Sequence, residues 1–333
     1  MRDSLALTTP ISALPLIDVG ALRSPKPTAQ AAMTEAIRAA CLSKGFFYIA
    51  NHGIAPSLID AVLRESRNFF SLPLTERLRV RRECSICNRG YEPMGGQDLE
   101  RTGTPDLKEA FYLGVDLPED DPRVLARKAG HGPNQWPCGL PAFRGAMEAY
   151  FAAMLDLSVR LMGAVAQSLD LPEDYFAGFC TEPVALLRLL HYPPQPANGA
   201  PDEKGCGAHT DWGAITLLLQ DDAGGLQIRD PVHGWLHAPP IPGAFVVNIG
   251  DLIARWTNDL YQSTEHRVIN LSGRDRFSVP FFFDGNPDYV VSCLPGCSGP
   301  GDPPRYRPTT VAEHVEAMHR ATFVADAPGA MHA

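Results

Sequence analysis

The sequence predicts an α+β protein with a mainly β core. Apolar runs with helical spacing dominate residues 1–180, while short apolar runs separated by Gly, Pro, Asn and Asp crowd residues 181–333. The chain also carries 31 prolines and 29 glycines, which favour short elements joined by turns. A mostly helical N-terminal region (1–180) packed on a β-sandwich or barrel (181–333, with a closing helix) follows, expected to behave as one cooperative unit.

In order, Leu14–Val19 reads as a strand. Ala29–Ser43 has helical spacing, with Ala32, Met33, Ile37, Ala40 and Cys41 on one face, and Gly45 stops it. Phe46–Ala50 reads as a buried strand, and Ser57–Phe70 as a helix capped by Ser57. Residues 84–105 show little apolar pattern and read as a long loop, a length that tends to be functional. Phe143–Leu169 is the longest helical run, limited by Pro172. Strands are then expected at Val184–Tyr192, Ile215–Gln220, Leu226–Arg229, Phe245–Ile249, His266–Asn270, Phe277–Phe283 and Tyr289–Val291. Thr310–Thr322 closes the chain as a helix.

Composition narrows the function. A net charge of -9 argues against a broad nucleic-acid or anionic-membrane surface, which needs a basic face. No stretch is expected to reach the ~20 apolar residues of a bilayer span. The start, Met1-Arg2-Asp3-Ser4, lacks the apolar core of a signal peptide, so a cytoplasmic location is expected. The eight cysteines read as reduced thiols. Cys84/Cys87 and Cys293/Cys297 are read as ordinary loop thiols, with a zinc site or a redox pair as alternatives.

The chemistry centres on Gly207-Ala208-His209-Thr210-Asp211-Trp212-Gly213. In an extended segment His209 and Asp211 project to the same side, so an imidazole and a carboxylate can converge on one metal ion. His266, at the start of a predicted strand, is the best third ligand. Two His and one carboxylate with open positions opposite is the arrangement of non-haem Fe(II) oxygenases, whereas structural zinc closes its fourth position. Arg276 and Ser278 share one strand face, and a guanidinium fork beside a hydroxyl suits a carboxylate.

Together HTDWG, His266-Arg267-Val268 and Arg276-Phe277-Ser278 make the chain resemble the iron and 2-oxoglutarate-dependent dioxygenases of the isopenicillin N synthase-like superfamily. The resemblance extends to LPLIDV, Gly45–Ile54 (GFFYIANHGI), Asn88-Arg89-Gly90-Tyr91, Asp106-Leu107-Lys108-Glu109, Gly224–Ile228 (GGLQI) and Val246–Leu252 (VVNIGDL). It implies a double-stranded β-helix, or jelly roll, with the metal in its mouth. It implies Fe(II) on His209, Asp211 and His266, and 2-oxoglutarate chelated to it with its distal carboxylate on Arg276 and Ser278. O2 would oxidise that co-substrate to succinate and CO2 while a small-molecule substrate is oxidised, hydroxylation being the expected outcome. Tyr192, in Leu190-His191-Tyr192-Pro193, matches a tyrosine that helps hold the co-substrate; Leu190 replaces the Asn of many plant members.

For the substrate, Arg89 and Tyr91 lie in a segment that reaches the pocket in relatives, and Phe281 and Phe283 are expected to line the cavity mouth. Leu187–Pro193 and Ala254–Asp259 are similar to fungal thymine 7-hydroxylase, while GAHTD and Gln220–Gly234 are similar to bacterial ethylene-forming enzyme. Isopenicillin N synthase and aminocyclopropane-carboxylate oxidase keep the same metal and Arg-x-Ser residues without using 2-oxoglutarate, so an oxidase of that type stays open. A monomer or weak homodimer, with no nucleic-acid or membrane partner, is expected.

Overall fold

The computed structural model describes residues 14–24, 26–100, 103–195 and 204–322. The N-terminal region contributes β1 (Leu16–Asp18), α1 (Pro27–Ser43), β2 (Phe46–Ala50), α2 (Pro56–Phe70), α3 (Leu74–Arg77), β3 (Gly90–Glu92), β4 (Glu109–Gly114), α4 (Pro122–Leu125) and α5 (Phe143–Ser168). The core follows with β5 (Val184–Tyr192), β6 (Cys206–His209), β7 (Ile215–Gln220), β8 (Leu226–Asp230), β9 (Gly234–His237), β10 (Phe245–Ile249) and α6 (Asp251–Trp256). The chain then forms β11 (His266–Val268), β12 (Arg276–Gly285), β13 (Val290–Val291), β14 (Thr309–Thr310) and α7 (Val311–Thr322).

These strands build a jelly roll. An eight-stranded sheet in the order β1-β2-β10-β7-β12-β5-β4-β3 faces a four-stranded sheet in the order β6-β11-β8-β9. β1 to β4 therefore extend the large sheet from the N-terminal half. β3 lies inside the expected 84–105 loop; its three residues are too short to show a period and exist through pairing with β4. β4, β6, β9 and β14 also carry too little alternation to stand out alone.

Two apolar cores position the site. Met33, Ile37, Ala40 and Cys41 of α1, Phe69 of α2 and Met154, Leu157 and Leu161 of α5 pack on the outer face of the large sheet. Ala32 is exposed, one position off the α1 stripe. A second cluster, with Phe46, Tyr48, Leu190, Tyr192, Leu226, Ile228 and Val268, fills the space between the sheets. At α2 the chain enters through Pro56 at the first helical turn, and Ser57 makes no side-chain cap bond. Gly45 links α1 to β2 at φ +63°, where a Cβ would lie 1.8 Å from the Gln262 carbonyl oxygen, so only glycine fits. By length and composition alone, α5 is apolar enough to cross a bilayer, against the expectation of no such stretch. Here its apolar face is covered by α1, α2 and the large sheet.

Candidate active site

β6 ends at His209, the chain continues extended to Asp211, and β11 begins at His266, paired directly with His209. The three side chains each offer one ligand atom, all within 4.8 Å of one another. Asp211 Oδ1 lies 3.8 Å from Nε2 of both histidines. Nδ1 of His209 sits 2.8 Å from the Gly207 carbonyl, and Nδ1 of His266 sits 3.3 Å from the Thr264 carbonyl. Those contacts favour a proton on Nδ1 and turn the Nε2 lone pairs toward Asp211. Burial lowers the His209 pKa, and burial together with His209 lowers that of His266 to about 4, so both imidazoles are neutral, the form that binds a metal. Burial alone would raise the Asp211 pKa, but His266, His209, Thr216 and Asn248 hold it below the usual carboxylate range.

Asp211 is oriented by two bonds to its other oxygen. Thr216 Oγ1 donates to Oδ2 at 2.6 Å and Asn248 Nδ2 at 2.7 Å. That leaves Oδ1 free on the histidine side. Two nitrogens, one carboxylate oxygen and, among the described residues, no fourth His, Cys, Asp or Glu in the group fit an open-faced Fe(II) site and not closed structural zinc. The Asn248→Leu variant removes one supporting bond; iron affinity, measured by ferrous titration against a chromogenic chelator, is expected to fall roughly 10- to 100-fold.

An inner cavity of about 60 Å³ adjoins the three ligands and is also lined by Arg276, Ser278 and Tyr192. Arg276 is fully buried. Its Nε donates to the Gly224 carbonyl, Nη1 to Ser278 Oγ at 2.9 Å and Nη2 to Gln220 Oε1 at 3.1 Å, all neutral acceptors. Its guanidinium lies 4.8 Å from the Tyr192 ring centroid. A buried guanidinium with no carboxylate partner among the described residues is costly, and it fits a carboxylate ligand entering the cavity. The sequence-predicted Arg276, Ser278 and Tyr192 are thus brought together beside the triad.

Beyond His209 and Asp211 the space opens into an outer chamber of about 510 Å³. Arg89 lines it, buried, with Nη2 donating to the Gly130 carbonyl at 2.7 Å. Tyr91 does not reach it: its ring packs against Phe69 in the helix-side core and its hydroxyl bonds Glu109. Phe281 and Phe283 are likewise corrected. Both are fully buried on the opposite face of β12, Phe281 against Phe151 of α5 and Phe283 against Phe179. The reason is strand parity: side chains alternate, so the face of Arg276 and Ser278 continues through Pro280, Phe282 and Asp284. Phe282 and Asp284 line the chamber instead. Phe281→Ala is therefore expected to cost about 3–5 kcal/mol of stability, and Phe282→Ala less, compared by urea unfolding midpoints.

Several other side chains escaped sequence reasoning. The same period-2 count from Arg276 would have found Asp284, and Asn248 could have been noticed as a polar residue inside an apolar strand. Burial, with the Asp211 charge adding to it, raises the Asp284 pKa to about 7, against the pull of Arg89. Arg188, on β5, lines both cavities, and nothing in its local sequence marks it.

A jelly roll with two imidazoles and one carboxylate at its mouth, beside a buried arginine, defines the class of non-haem iron oxygenases. Residues 14–139 match the model for the non-haem dioxygenase in morphine synthesis N-terminal region, and residues 183–285 that of the 2OG-Fe(II) oxygenase superfamily. The chain is 41% identical over 319 residues to the 2-oxoglutarate-Fe(II) type oxidoreductase hxnY of Emericella nidulans, covering 94% of this chain and 91% of that one. It is 44% identical over 293 residues to the 2-oxoglutarate-dependent dioxygenase citB of Monascus ruber, covering 84% and 87%. Among solved structures, a full-length Neurospora crassa protein crystallised in complex with alpha-KG and thymine superposes with a TM-score of 0.82 at 31% identity, covering 93% of this chain and 97% of that one. The chain belongs to the 2OG-Fe(II) oxygenase superfamily and is an Fe(II)/2-oxoglutarate-dependent dioxygenase.

Proposed function

We propose that His209, Asp211 and His266 hold the Fe(II), that Arg276 and Ser278 take the distal carboxylate of 2-oxoglutarate, and that the prime substrate occupies the outer chamber. The observation that carries this reading is the buried Arg276 guanidinium, facing a small cavity it shares with the three ligands. Tyr192 stacks under that guanidinium and forms part of the wall of the cavity that the dicarboxylate would enter. Bound iron supplies O2 activation coupled to oxidation of 2-oxoglutarate to succinate and CO2. The chain's own contribution is geometric and electrostatic. Thr216 and Asn248 fix the Asp211 carboxylate, Gly207 and Thr264 carbonyls fix the imidazoles, and apolar Leu190, Leu218, Val268 and Phe282 limit water in the inner cavity. The described residues up to 180 act as a frame, extending the large sheet and covering its outer face. Hydroxylation of a small molecule is the outcome we infer.

The test is visible absorption under anaerobic conditions with Fe(II) and 2-oxoglutarate, followed by succinate release in air. A weak metal-to-ligand charge-transfer band and succinate formation dependent on added 2-oxoglutarate are expected. Bound iron without the band would move the assignment to an oxidase whose substrate itself ligates the metal.

A further inference from the structure

The outer chamber has an uneven charge pattern. Arg82 is matched by Glu92, with Nη1 at 2.8 Å from Oε1. Glu265 is exposed at the rim. Arg89 and Asp284 also line the chamber, one packed against Gly114 and the other against Gly213, and Arg89 pulls the Asp284 pKa down less than burial raises it. Neither glycine has a Cβ, and one added there would strike the Arg89 guanidinium at 1.9 Å or the Asp284 carboxylate at 1.8 Å. Bare backbone is what admits these two side chains.

Among the described residues Arg188 is the one cation that lines both the inner cavity and the outer chamber. Its Nη2 donates to Gln97 Oε1 at 3.2 Å and to Tyr112 Oη at 2.7 Å, both neutral acceptors. Its Nε is buried without a partner among the described residues. The guanidinium carbon lies 4.5 Å from the Tyr112 ring centroid and 5.8 Å from that of Phe282. It has no direct carboxylate ion pair among the described residues: Glu92, already paired with Arg82, reaches it only through the Tyr112 hydroxyl, which donates to Glu92 at 2.6 Å. Leu186 and Phe282, adjacent in register, form an apolar strip between Arg188 and the Asp284 end. His209 and Asp211 border the same chamber, so a molecule on that strip faces the metal position.

We propose that the prime substrate is a small monocarboxylate, its carboxylate held by Arg188, its carbon skeleton lying on Leu186 and Phe282, and its far end facing Asp284. Arg188 brings a planar guanidinium fork to the chamber wall, the geometry that suits a carboxylate. In its ionised form Asp284 disfavours a second negative group at the far end and favours an O–H or N–H donor there. This inference rests on the reading that the outer chamber takes the prime substrate.

The experiment is anaerobic isothermal titration of the Fe(II)-2-oxoglutarate protein with benzoate, phenylacetate, 3-phenylpropionate and hexanoate, each beside its primary amide. The acids that bind are expected to do so roughly tenfold or more tightly than their amides, as for a charge-assisted pair in a partly dry site. Arg188→Gln is expected to erase that difference, and Asp284→Asn to improve binding of 4-carboxyphenylacetate relative to phenylacetate. Equal binding of acids and amides, a preference for amides, or no acid binding at millimolar concentration would overturn the proposal. The wild-type comparison stands even if Arg188→Gln fails to fold. Should the charge-transfer band never form, the co-substrate assignment fails on its own. The same acid–amide titration of the protein with Fe(II) alone then reads the chamber independently.

Discussion

Replacing Asp211 by alanine abolishes succinate release and lowers iron affinity by more than about 100-fold, beyond the cost of losing a supporting hydrogen bond. The expectation follows from how much of the site converges on this one carboxylate. Oδ1 stands 3.8 Å from each imidazole Nε2, and Oδ2 is fixed by Thr216 and Asn248. Without it, two neutral imidazoles remain, with no anion to offset the cation's charge. The Thr216 hydroxyl and Asn248 amide are also left pointing into a hole. Asp211→Asn separates these effects: it keeps the shape but removes the charge, and should lose most of the iron affinity while preserving the unfolding midpoint. Ferrous titration and circular dichroism melts check both. An alanine variant that binds iron within a few-fold of wild type would remove Asp211 from the ligand set.

The spacing His209-x-Asp211 was legible because metal geometry acts locally: an extended chain puts i and i+2 on one side. His266 and the Arg276-x-Ser278 pair were legible from the resemblance and from the same parity. At Phe281 and Phe283 strand parity overrides aromatic character, because the face of Arg276 runs through Phe282 and Asp284. Tyr91 misled for a related reason. Three residues of β3 give no period to read, and its orientation is set by pairing with β4. Thr216, Asn248 and Arg188 belong to a further category. Asn248 and Arg188 act across strands far apart in sequence, β10 onto the Asp211 segment and β5 onto β4, while Thr216, five residues past Asp211, is turned back onto it by the start of β7. The helices were the easiest part, because α1, α2 and α5 bury stripes of period 3.6 against one face of one sheet.

Arg276→Ala should weaken 2-oxoglutarate binding by about 2–5 kcal/mol, roughly 30-fold to several thousand-fold in Kd, the range for removing one partner of a buried hydrogen-bonded charge pair. The triad is untouched, so iron affinity should stay within a few-fold, and the charge-transfer band should reappear only at high co-substrate concentration. Two features make the effect large. The guanidinium is fully buried, so water cannot replace it cheaply, and its neighbours Ser278, Gln220 and the Gly224 carbonyl offer no other positive charge. Part of the loss would come from the turn between β7 and β8, which Arg276 tethers through Gly224. Arg276→Lys distinguishes the two contributions. It keeps a cation but not the planar fork, so it should recover some affinity through charge while leaving the Gly224 and Gln220 tethers incomplete. If the lysine variant matches alanine, the fork and its tethers matter more than the charge. If 2-oxoglutarate binds all three proteins equally, its distal carboxylate lies elsewhere and the inner cavity serves another ligand.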